Sequence, residues 1–485
     1  MRWLVIPLIL FAKLASAEPP APMPRCADFA AQVPAAMTAW QVPGLALGIV
    51  RDDRVLYIQT YGVIDTETKA PVTARTMFGI GSITKSLAAL SLATAETERL
   101  VSFDAPVKET LPYFPEGITL RHLLSHTAGW PRHDALWYID AYGRTALVRA
   151  LASLPRFAPP GRAFQYNNVT YAAAARVLER ATGASWDSWV RFRILNPARM
   201  RDTVTSINGF EANHERATGY FPGDDGRVKV QPRDTDPVSP AAGLYAHLND
   251  MMRYVQLLTN EGIIADRRIL PKEAVQPLLR PAADAGHHAY GLGFNLTQWR
   301  GHRLAYHPGV IDGFTARLSI LPDERVGIIA LSNLSGRTPV AQIASQIALD
   351  CMVGAPTTDW VKAFGGGRPP PEAKPAPPEA QPTDRNPEAY AGDYTHPAYG
   401  VISIQPSADG RRIVGRFHWR LLELEYMGGD SWRLVRTQWP LREGLVLTFS
   451  KLRGGRFGQL STPLADGPTY RHNAGPLEFV RELLL

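Results

Sequence analysis

A serine and a lysine stand three residues apart in the stretch FGIGSITKSLAAL, which begins at Phe78. Gly79 and Gly81 allow a tight turn just before Ser82, and the residues that follow favour a helix. A helix start carries partial positive charge and free N–H groups, which stabilise an oxyanion. Lys85 lies one helical turn on, and a desolvated lysine can accept the serine proton near neutral pH. The pattern favours a nucleophilic serine activated by a lysine, although a capping serine beside a solvated lysine has the same letters.

Two further short motifs carry groups that could take part in the same chemistry. FQYNNVTY places Tyr166 and Asn168, a Tyr-x-Asn pair, just before a helix-like stretch. AYHPGVIDGF places His307 and Gly309, a His-x-Gly pair, in a β-like run. Each has an ordinary interpretation on its own, as a packed tyrosine, a turn asparagine or a core histidine. Their joint occurrence with the serine and lysine favours catalysis.

Taken in this order, Ser-x-x-Lys, Tyr-x-Asn and His-x-Gly resemble the motifs of the class C β-lactamase-like, penicillin-binding-protein-like serine hydrolases. The connecting phrases LLSHTAGW, SPAAGLYAHLNDMMRY, YGLGF and GIIALSNL strengthen the resemblance, which covers about Ala27 to Cys351. The group includes β-lactamases, DD-peptidases, D-amino-acid amidases and esterases. The C-terminal segment resembles the small β domain of unassigned role that follows some members.

The resemblance implies a role for each motif residue. Ser82 would be the nucleophile that forms an acyl-enzyme. Lys85 and Tyr166 would share its deprotonation and the later protonation of the leaving group, and which of them acts in each step stays open. Asn168 would hold the lysine and donate to the substrate amide. The backbone N–H groups of Ser82 and Val310 would form the oxyanion hole.

The His-x-Gly strand departs from the β-lactamase pattern. Gly309 and Val310 would line the substrate site, whereas His307 stands where β-lactamases mostly have lysine, a permanent cation for the drug carboxylate. A histidine is only partly charged near neutral pH. A tyrosine base needs nearby positive charge to lower its pKa, and Lys85 and a protonated His307 could supply it. The departure favours the peptidase, amidase and esterase members, with β-lactamase as the alternative.

The elements predicted around these motifs define an α/β (α+β) fold. A strand hairpin is predicted within 45–65 and further strands within 302–334, whereas 82–279 is mainly helical, with an N-cap at Thr119 and a C-cap at Gly183. The simplest architecture is a β-lactamase/transpeptidase-like antiparallel sheet flanked by helices. A helical subdomain is inserted between its second and third strands.

Four segments are predicted along the chain. Residues 1–17, MRWLVIPLILFAKLASA, have a short apolar run and small residues at the expected cleavage site, which indicates a signal peptide. Residues 18–360 form the hydrolase domain. Residues 361–387 are Pro-rich and predict a semi-rigid linker. Residues 388–485 alternate short β-like runs with Gly-containing turns, which predicts a small all-β domain, a barrel or a sandwich.

The two cysteines, Cys26 and Cys351, fall in helix-like stretches at the two ends of the hydrolase domain. In an oxidising compartment they could pair if the first and last helices pack side by side. Two free thiols are the alternative, and the sequence does not choose between them.

Composition excludes several classes of protein. Hydrophobic residues make up 45% and charged residues 20% of the 485 residues, as in globular proteins. The net charge of +7 is spread without a dense basic run, so no nucleic-acid partner is expected. The adjacent His287 and His288 lack helical ligand spacing, and there is no Walker loop or Gly-x-Ser-x-Gly elbow. No metal and no cofactor are therefore expected.

One loop follows LLSHTAGW and is rich in aromatic residues. His126 stands at its start, and a structural hydrogen-bonding role is favoured for it over catalysis. The loop GWPRHDALWYIDAYGR carries Trp130, Trp137, Tyr138 and Tyr142. These rings could wall the substrate pocket or form a surface-packed cluster.

The sequence as a whole predicts an exported, periplasmic or secreted, serine hydrolase with no integral membrane segment in its mature chain. Its substrate would be a small ester, amide or peptide, with a cell-wall peptide among the candidates, and its oligomeric state is open. A rival hypothesis is a non-catalytic wall-binding or scaffolding protein. Another is that the C-terminal β domain is a binding module that localises or gates the hydrolase.

Overall fold

The computed structural model describes residues 29–138, 142–223, 226–336, 338–356, 358–367, 383, 385–408, 412–437, 445–462 and 477–481. The predicted signal peptide lies outside the described residues, as does most of the predicted linker. The fold that follows concerns the described part of the chain.

The hydrolase part is built on an eight-stranded antiparallel sheet with the strand order β2-β1-β14-β13-β12-β11-β10-β9. Its strands are β1 (Gly44–Arg51), β2 (Arg54–Gly62), β9 (Ala283–Asp284), β10 (Ala289–Tyr290), β11 (Asn295–Trp299), β12 (His302–Ile311), β13 (Phe314–Leu321) and β14 (Val326–Ser332). Three small two-stranded sheets lie between β2 and β9: β3 (Phe78–Gly79) with β6 (Tyr245–Ala246), β4 (Gly219–Gly223) with β5 (Gly226–Val230), and β7 (Ile263–Ile264) with β8 (Arg267–Arg268).

The helices of this part are α1 (Phe29–Ala39), α2 (Thr84–Thr97), α3 (Val107–Thr110), α4 (Leu120–Leu124), α5 (Ala135–Tyr138), α6 (Arg144–Ser153), α7 (Asn168–Thr182), α8 (Trp186–Val190), α9 (Ile207–Glu211), α10 (Ser239–Ala242), α11 (Leu248–Thr259), α12 (Lys272–Val275), α13 (Val340–Met352) and α14 (Trp360–Ala363). Shorter 3-10 turns span Gly81–Ile83, Asp236–Val238, Gln276–Leu279 and Pro387–Ala389, and a π-helical turn spans Arg191–Leu195.

Two of the predicted helix caps have the expected geometry. Thr119 caps α4 in a capping box with His122, whose backbone N–H donates to the threonine hydroxyl while its ring accepts from the Thr119 N–H. Gly183 ends α7 in the left-handed conformation, with φ of 72°. These caps fix the ends of two helices of the inserted subdomain, and α7 carries one of the predicted site residues.

Strands β13 and β14 are buried along their whole length because helices cover both faces of the sheet. α13 packs on β13 and β14 from one side, and α1 packs on α13. α11 packs on β1 and β14 from the other side. Strands buried on both faces need continuous apolar sequence, and RVGIIALSNL in β14 has it.

The expected antiparallel sheet with an inserted, mainly helical subdomain is confirmed. The sheet is wider than predicted, because β9, β10 and β11 extend it beyond β12. The insert also holds the hairpins β4–β5 and β7–β8, which the helical prediction missed. Strands of two residues, such as β7 and β8, are too short to show a hydrophobic alternation in sequence.

Cys351 lies on α13 and is disulfide-bonded. Its expected partner, Cys26, lies outside the described residues. Among the helices that the structure describes, none has the length and apolar content needed to cross a membrane.

The C-terminal segment is a closed barrel of eight strands, which resolves the choice between a barrel and a sandwich. Its strands are β15 (Gly392–His396), β16 (Gly400–Pro406), β17 (Ile413–Phe417), β18 (Arg420–Gly428), β19 (Ser431–Thr437), β20 (Val446–Arg453), β21 (Arg456–Thr462) and β22 (Leu477–Val480). Each strand pairs with the next, and the pairing of Thr395 with Val480 closes the barrel. Closure leaves no free sheet edge.

The predicted boundary between hydrolase and linker falls inside a short helix. Trp360, at the start of α14, packs its ring 5.4 Å from that of Trp299 at the end of β11. Its indole N–H also donates to Asp350 on α13. Val361 and Phe364, which follow the boundary, pack against the same hydrophobic cluster, so the first residues of the predicted linker belong to the packed end of the hydrolase part.

Candidate active site

Ser82 lies in the 3-10 turn Gly81–Ile83, which runs directly into α2. Its hydroxyl makes no capping bond, since neither this turn nor α2 has a side-chain cap. Its oxygen instead lies 3.0 Å from the Nζ atom of Lys85. The capping interpretation of this serine therefore fails, and the pairing with lysine that the sequence predicts is present.

Lys85 is fully buried and has three oxygen neighbours. Its Nζ donates to Asn168 Oδ1 at 2.7 Å and to the Ala241 carbonyl at 3.0 Å. Burial, and then the charge of Arg132, lower the pKa of Lys85 well below its usual range, with Asp134 acting in the opposite direction. A neutral amine has two N–H groups, and these can donate hydrogen bonds to Asn168 Oδ1 and the Ala241 carbonyl. Its lone pair is then left for the Ser82 hydroxyl proton.

Asn168 is the first residue of α7, and its amide is held at both ends. The preceding residue, Asn167, caps the helix by accepting from the N–H groups of Val169 and Thr170. The Asn168 oxygen accepts from Lys85, and its Nδ2 donates to Asp134 Oδ1 at 2.8 Å. The orientation of the asparagine is thereby fixed, with one N–H left over.

Tyr166 lies between two basic side chains. The Nζ of Lys85 is 4.6 Å from the centre of its ring, and the guanidinium carbon of Arg132 is 5.1 Å from it. Burial opposes the charge of Arg132, but the carboxylate of Asp134 and then Tyr166 raise the pKa of Arg132 above its usual range. A permanent positive charge therefore lies against the phenol ring.

His307 lies on β12 and is buried. Its Nδ1 is 2.7 Å from the Pro308 carbonyl, which can only accept, so Nδ1 carries the proton. Its Nε2 is 3.3 Å from the Tyr290 hydroxyl, which donates to it. Burial, and then Lys85, lower the pKa of His307 to about 3. His307, one of the two possible sources of positive charge for Tyr166, is thus a neutral imidazole near neutral pH, and the permanent cation against Tyr166 is Arg132.

Glycines bring β12 against the turn that carries the serine. A Cβ atom on Gly309 would lie 2.1 Å from the Ile80 carbonyl oxygen, and one on Gly81 would lie 2.6 Å from the backbone nitrogen of Val310. Gly81 also has φ of 51°, which favours glycine. Only glycine allows this approach, so β12 at Val310 lies directly against the turn that carries Ser82.

Arg132 and Asp134 are the site residues that sequence reasoning missed. They form an ion pair, and Asp134 also accepts from the Trp137 indole N–H at 3.0 Å. Both stand in the aromatic loop that the sequence singled out. The sequence feature nearest to a signal is the Arg-x-Asp pair inside that aromatic loop, but the pair does not by itself place either charge at the site.

The aromatic loop is largely buried from Trp130 to Tyr138. Trp130 and Trp137 are core residues, and the Trp130 indole donates to the Leu154 carbonyl. His126 accepts from the backbone N–H of Asn167 at 3.1 Å, and its ring centre lies 4.3 Å from that of Tyr166. Burial lowers the pKa of His126 well below its usual range. These contacts fit the structural role favoured for this histidine.

Within the described residues, which include both His287 and His288, there is no group of three or more His, Cys, Asp or Glu side chains that could hold a metal ion. The groups brought together at Ser82 are those of acyl transfer by a serine.

A family model described as Beta-lactamase matches residues 29–350, which is more than half of the chain. The chain therefore belongs to the beta-lactamase family. Together with the names of its relatives, this membership indicates a serine hydrolase of the beta-lactamase superfamily.

Two curated relatives illustrate the range of the family. The chain is 27% identical to the unguisins hydrolase ungD of Aspergillus violaceofuscus, covering 84% of this chain and 82% of that protein. It is also 27% identical to a D-aminopeptidase of Cereibacter sphaeroides, covering 66% of this chain and 62% of that protein. Both names describe hydrolases.

A solved structure has the same fold over most of the chain. The octameric penicillin-binding protein homologue from Pyrococcus abyssi aligns with a TM-score of 0.62 at 22% identity, covering 90% of this chain and 97% of that one. At this identity the likeness supports the fold assignment alone.

Proposed function

We propose that the protein is an exported serine hydrolase that forms an acyl-enzyme at Ser82 with an amide or ester substrate. The observation that carries this proposal is the contact of 3.0 Å between the Ser82 hydroxyl and a buried Lys85 whose pKa is lowered. Because its pKa is lowered, this lysine gives up its proton more readily than an exposed one and can then act as a general base.

The proposed reaction has two halves. Lys85 takes the hydroxyl proton as the Ser82 oxygen attacks the substrate carbonyl, and the backbone N–H groups of Ser82 and Val310 stabilise the oxyanion. The proton then passes to the leaving amine or alcohol as its bond to the carbonyl carbon breaks. Water attacks the acyl-enzyme by the same route, which releases the acid and restores the serine. Tyr166 shares these proton transfers, and which of Tyr166 and Lys85 moves the proton in each step stays open.

Among the substrate classes, an amide bond next to a D-amino acid is our first choice. A relative named D-aminopeptidase supports it, and a relative named as a hydrolase of unguisins shows that the family is not confined to β-lactams. Efficient β-lactam hydrolysis is disfavoured, because the neutral His307 offers no permanent cation for the drug carboxylate. Arg132 does not replace it, since its charge is paired with Asp134.

Export is supported by two observations. The first 17 residues have the pattern of a signal peptide. Cys351 is disulfide-bonded, and disulfides persist in oxidising compartments. Cell fractionation that found the full-length, uncleaved chain in the cytosol would contradict this part of the proposal.

The test is intact-mass spectrometry after brief incubation with paired D- and L-aminoacyl p-nitroanilides, a p-nitrophenyl ester and benzylpenicillin. We expect an acyl adduct on the Ser82 peptide and faster release of p-nitroaniline from the D than from the L substrate. Ser82→Ala should form no adduct. The matched control is Ser91→Ala on the same helix, where a buried hydroxyl donates to the Ala88 carbonyl.

The substrates distinguish the alternative functions. Turnover that survives in Ser82→Ala would overturn the acyl-enzyme mechanism. Turnover of the ester alone would identify an esterase. Rapid multiple turnover of benzylpenicillin would restore the β-lactamase alternative. A folded wild-type protein that no substrate acylates would favour the non-catalytic hypothesis.

A further inference from the structure

We propose that the C-terminal barrel positions the catalytic residues of the hydrolase through a hydrogen bond between Tyr399 and His133. The inference rests on the proposed function, because it assigns a positioning role for that same site. It concerns the aromatic loop Trp130–Tyr138, here called the bridging loop, which lies between the site and the barrel.

Three consecutive residues of the bridging loop point in two directions. Arg132 places its guanidinium over the ring of Tyr166, and Asp134 accepts from the Asn168 amide at 2.8 Å. His133, between them, turns the other way, and its Nδ1 lies 2.8 Å from the Tyr399 hydroxyl of the barrel. One residue held by the barrel thus separates the two that reach the site.

The backbone of His133 needs such a restraint. Its φ of 50° lies in the left-handed region, which is costly for a residue with a Cβ atom and persists only where surrounding contacts hold it. The His133 side chain is buried, and its ring is hydrogen-bonded to Tyr399. Its carbonyl accepts from the Leu136 N–H, which closes the turn into α5. Barrel and turn together hold the unusual conformation.

The bond between the two rings is not a pH switch. Burial, and then His396, lower the pKa of His133 to about 3, so its imidazole is neutral. Burial raises the pKa of Tyr399 well above its usual range, so its hydroxyl keeps its proton. A neutral hydroxyl and a neutral imidazole can bond across the whole range of pH in which an enzyme of this kind would work.

Other contacts join the barrel to the neighbourhood of the bridging loop. The hydroxyl of Tyr142 donates to the Ala398 carbonyl at 2.8 Å, next to Tyr399. At the end of the loop, the fully buried Arg420 of β18 donates to the Tyr138 carbonyl. The barrel therefore contacts the loop in its middle and at its end.

The contact at Tyr138 continues to the strand of the predicted oxyanion hole. Arg233 donates to the Tyr138 carbonyl at 3.3 Å and to Asp312 Oδ2 at 2.9 Å. Asp312 follows β12, two residues after Val310. Both halves of the site, the base and the oxyanion strand, thus connect to the barrel through the same loop.

The consequence is that Tyr399 is a positioning residue that acts through His133. Without its hydroxyl, the segment Arg132–Asp134 can shift and carry Asn168 and Lys85 with it. Small displacements of catalytic groups cost rate because the reacting geometry is lost. A barrel of this kind would be an integral part of the enzyme.

The experiment compares Tyr399→Phe with Tyr394→Phe, both in the full-length protein. Tyr394 is the matched control, a buried barrel tyrosine whose hydroxyl donates to the Tyr390 carbonyl within the barrel. We expect kcat to fall about tenfold in Tyr399→Phe with KM little changed, and to stay within about twofold of wild type in the control. Active enzyme is counted by acylation of Ser82, so that lost folding is not mistaken for lost catalysis. Equal falls of kcat in the two variants would overturn the inference.

A double-mutant cycle tests the route of the effect. If Tyr399 acts through the bridging loop, Tyr399→Phe should lower kcat less in a protein that already carries Asp134→Ala. That substitution removes the hydrogen bond between the loop and Asn168. The two substitutions together should therefore cost less than the product of their separate effects on kcat. Independent, multiplicative effects would overturn the inference.

Hydrogen–deuterium exchange separates a failure of this inference from a failure of the proposed function. Peptides that cover 131–138 should exchange faster in Tyr399→Phe than in wild type or Tyr394→Phe, whatever the protein hydrolyses. If Ser82 is never acylated but this exchange rises, the proposed function fails and the barrel contact stands. If Tyr399→Phe leaves this exchange unchanged in an enzyme that is acylated at Ser82, the positioning role of Tyr399 is contradicted and the proposed function stands.

Discussion

The hydrolase site buries a lysine, an aspartate and two histidines in one cluster, whereas the barrel buries a core of aromatic rings. In the barrel, the ring of Tyr390 packs 4.8 Å from that of Phe457 and 5.1 Å from that of Trp432. Tyr390 donates its hydroxyl to Asp430 at 2.8 Å. In the site, by contrast, buried polar side chains bond to one another, as Lys85 does to Asn168 and Asn168 to Asp134.

This difference separates stability from chemistry. Apolar rings that leave water stabilise a fold in proportion to the area they bury. Buried ionisable groups cost desolvation free energy, and their mutual bonds only offset it. We therefore expect substitutions in the barrel core to change stability more than activity, and substitutions in the site to do the reverse. Tyr399 is the proposed exception, since it belongs to both regions.

The largest effect is expected from Lys85→Met. Losing the base should lower kcat/KM at least about 10³-fold, as for other members of a nucleophile pair. The melting temperature should change little, because removing a desolvated amine offsets the loss of its bonds to Asn168 and the Ala241 carbonyl. Steady-state kinetics and calorimetry measure the two. A large fall in melting temperature with activity retained would contradict the expectation that substitutions in the site change activity more than stability.

Trp432→Ala should have the opposite profile. The side chain is fully buried, and removing it leaves a cavity worth about 3–5 kcal/mol of unfolding free energy. Denaturant titration measures this loss, and turnover per folded molecule well below the transition should stay close to wild type. A cost below about 1 kcal/mol would mean that the barrel core is not packed as described.

The pH dependence of activity should move in opposite directions in two site variants. Below its pKa, Lys85 is protonated and cannot accept the Ser82 proton, so it sets the acidic limb of kcat/KM. Arg132 lowers the pKa of Lys85 and Asp134 raises it. Arg132→Met should therefore move the acidic limb to higher pH, and Asp134→Asn should move it to lower pH. Shifts of the same sign would show that Lys85 does not set this limb.

The smallest effect is expected from Tyr390→Phe. The variant keeps the ring and loses one hydrogen bond to Asp430, which also receives a bond from Arg385. Removing one such bond at a partly exposed carboxylate should cost about 1 kcal/mol of unfolding free energy. Activity should be unchanged, and a fall in kcat here would extend the positioning role beyond Tyr399.

Much of the fold could be predicted from local patterns. The Ser82 turn, the Thr119 cap, the left-handed end at Gly183 and the long strands β12 to β14 each depend on a few neighbouring residues. Strands β9 and β10 could not be predicted, because two-residue strands exist only by pairing with the sheet. The disulfide at Cys351 was left open for a similar reason, since pairing is a property of distance in space.

The sequence by itself indicated the serine, lysine, tyrosine, asparagine and histidine of the candidate site, because Ser-x-x-Lys, Tyr-x-Asn and His-x-Gly are short motifs whose chemistry is carried by residue type. Only the tertiary structure decided their charge states. The sequence left His307 partly charged near neutral pH, whereas burial and the nearby Lys85 lower its pKa to about 3. Arg132 and Asp134 reach the site from a loop far away in sequence, and no local pattern places a distant charge. Charge in a buried site depends on desolvation and on neighbours brought together by folding, and both are properties of the packed molecule.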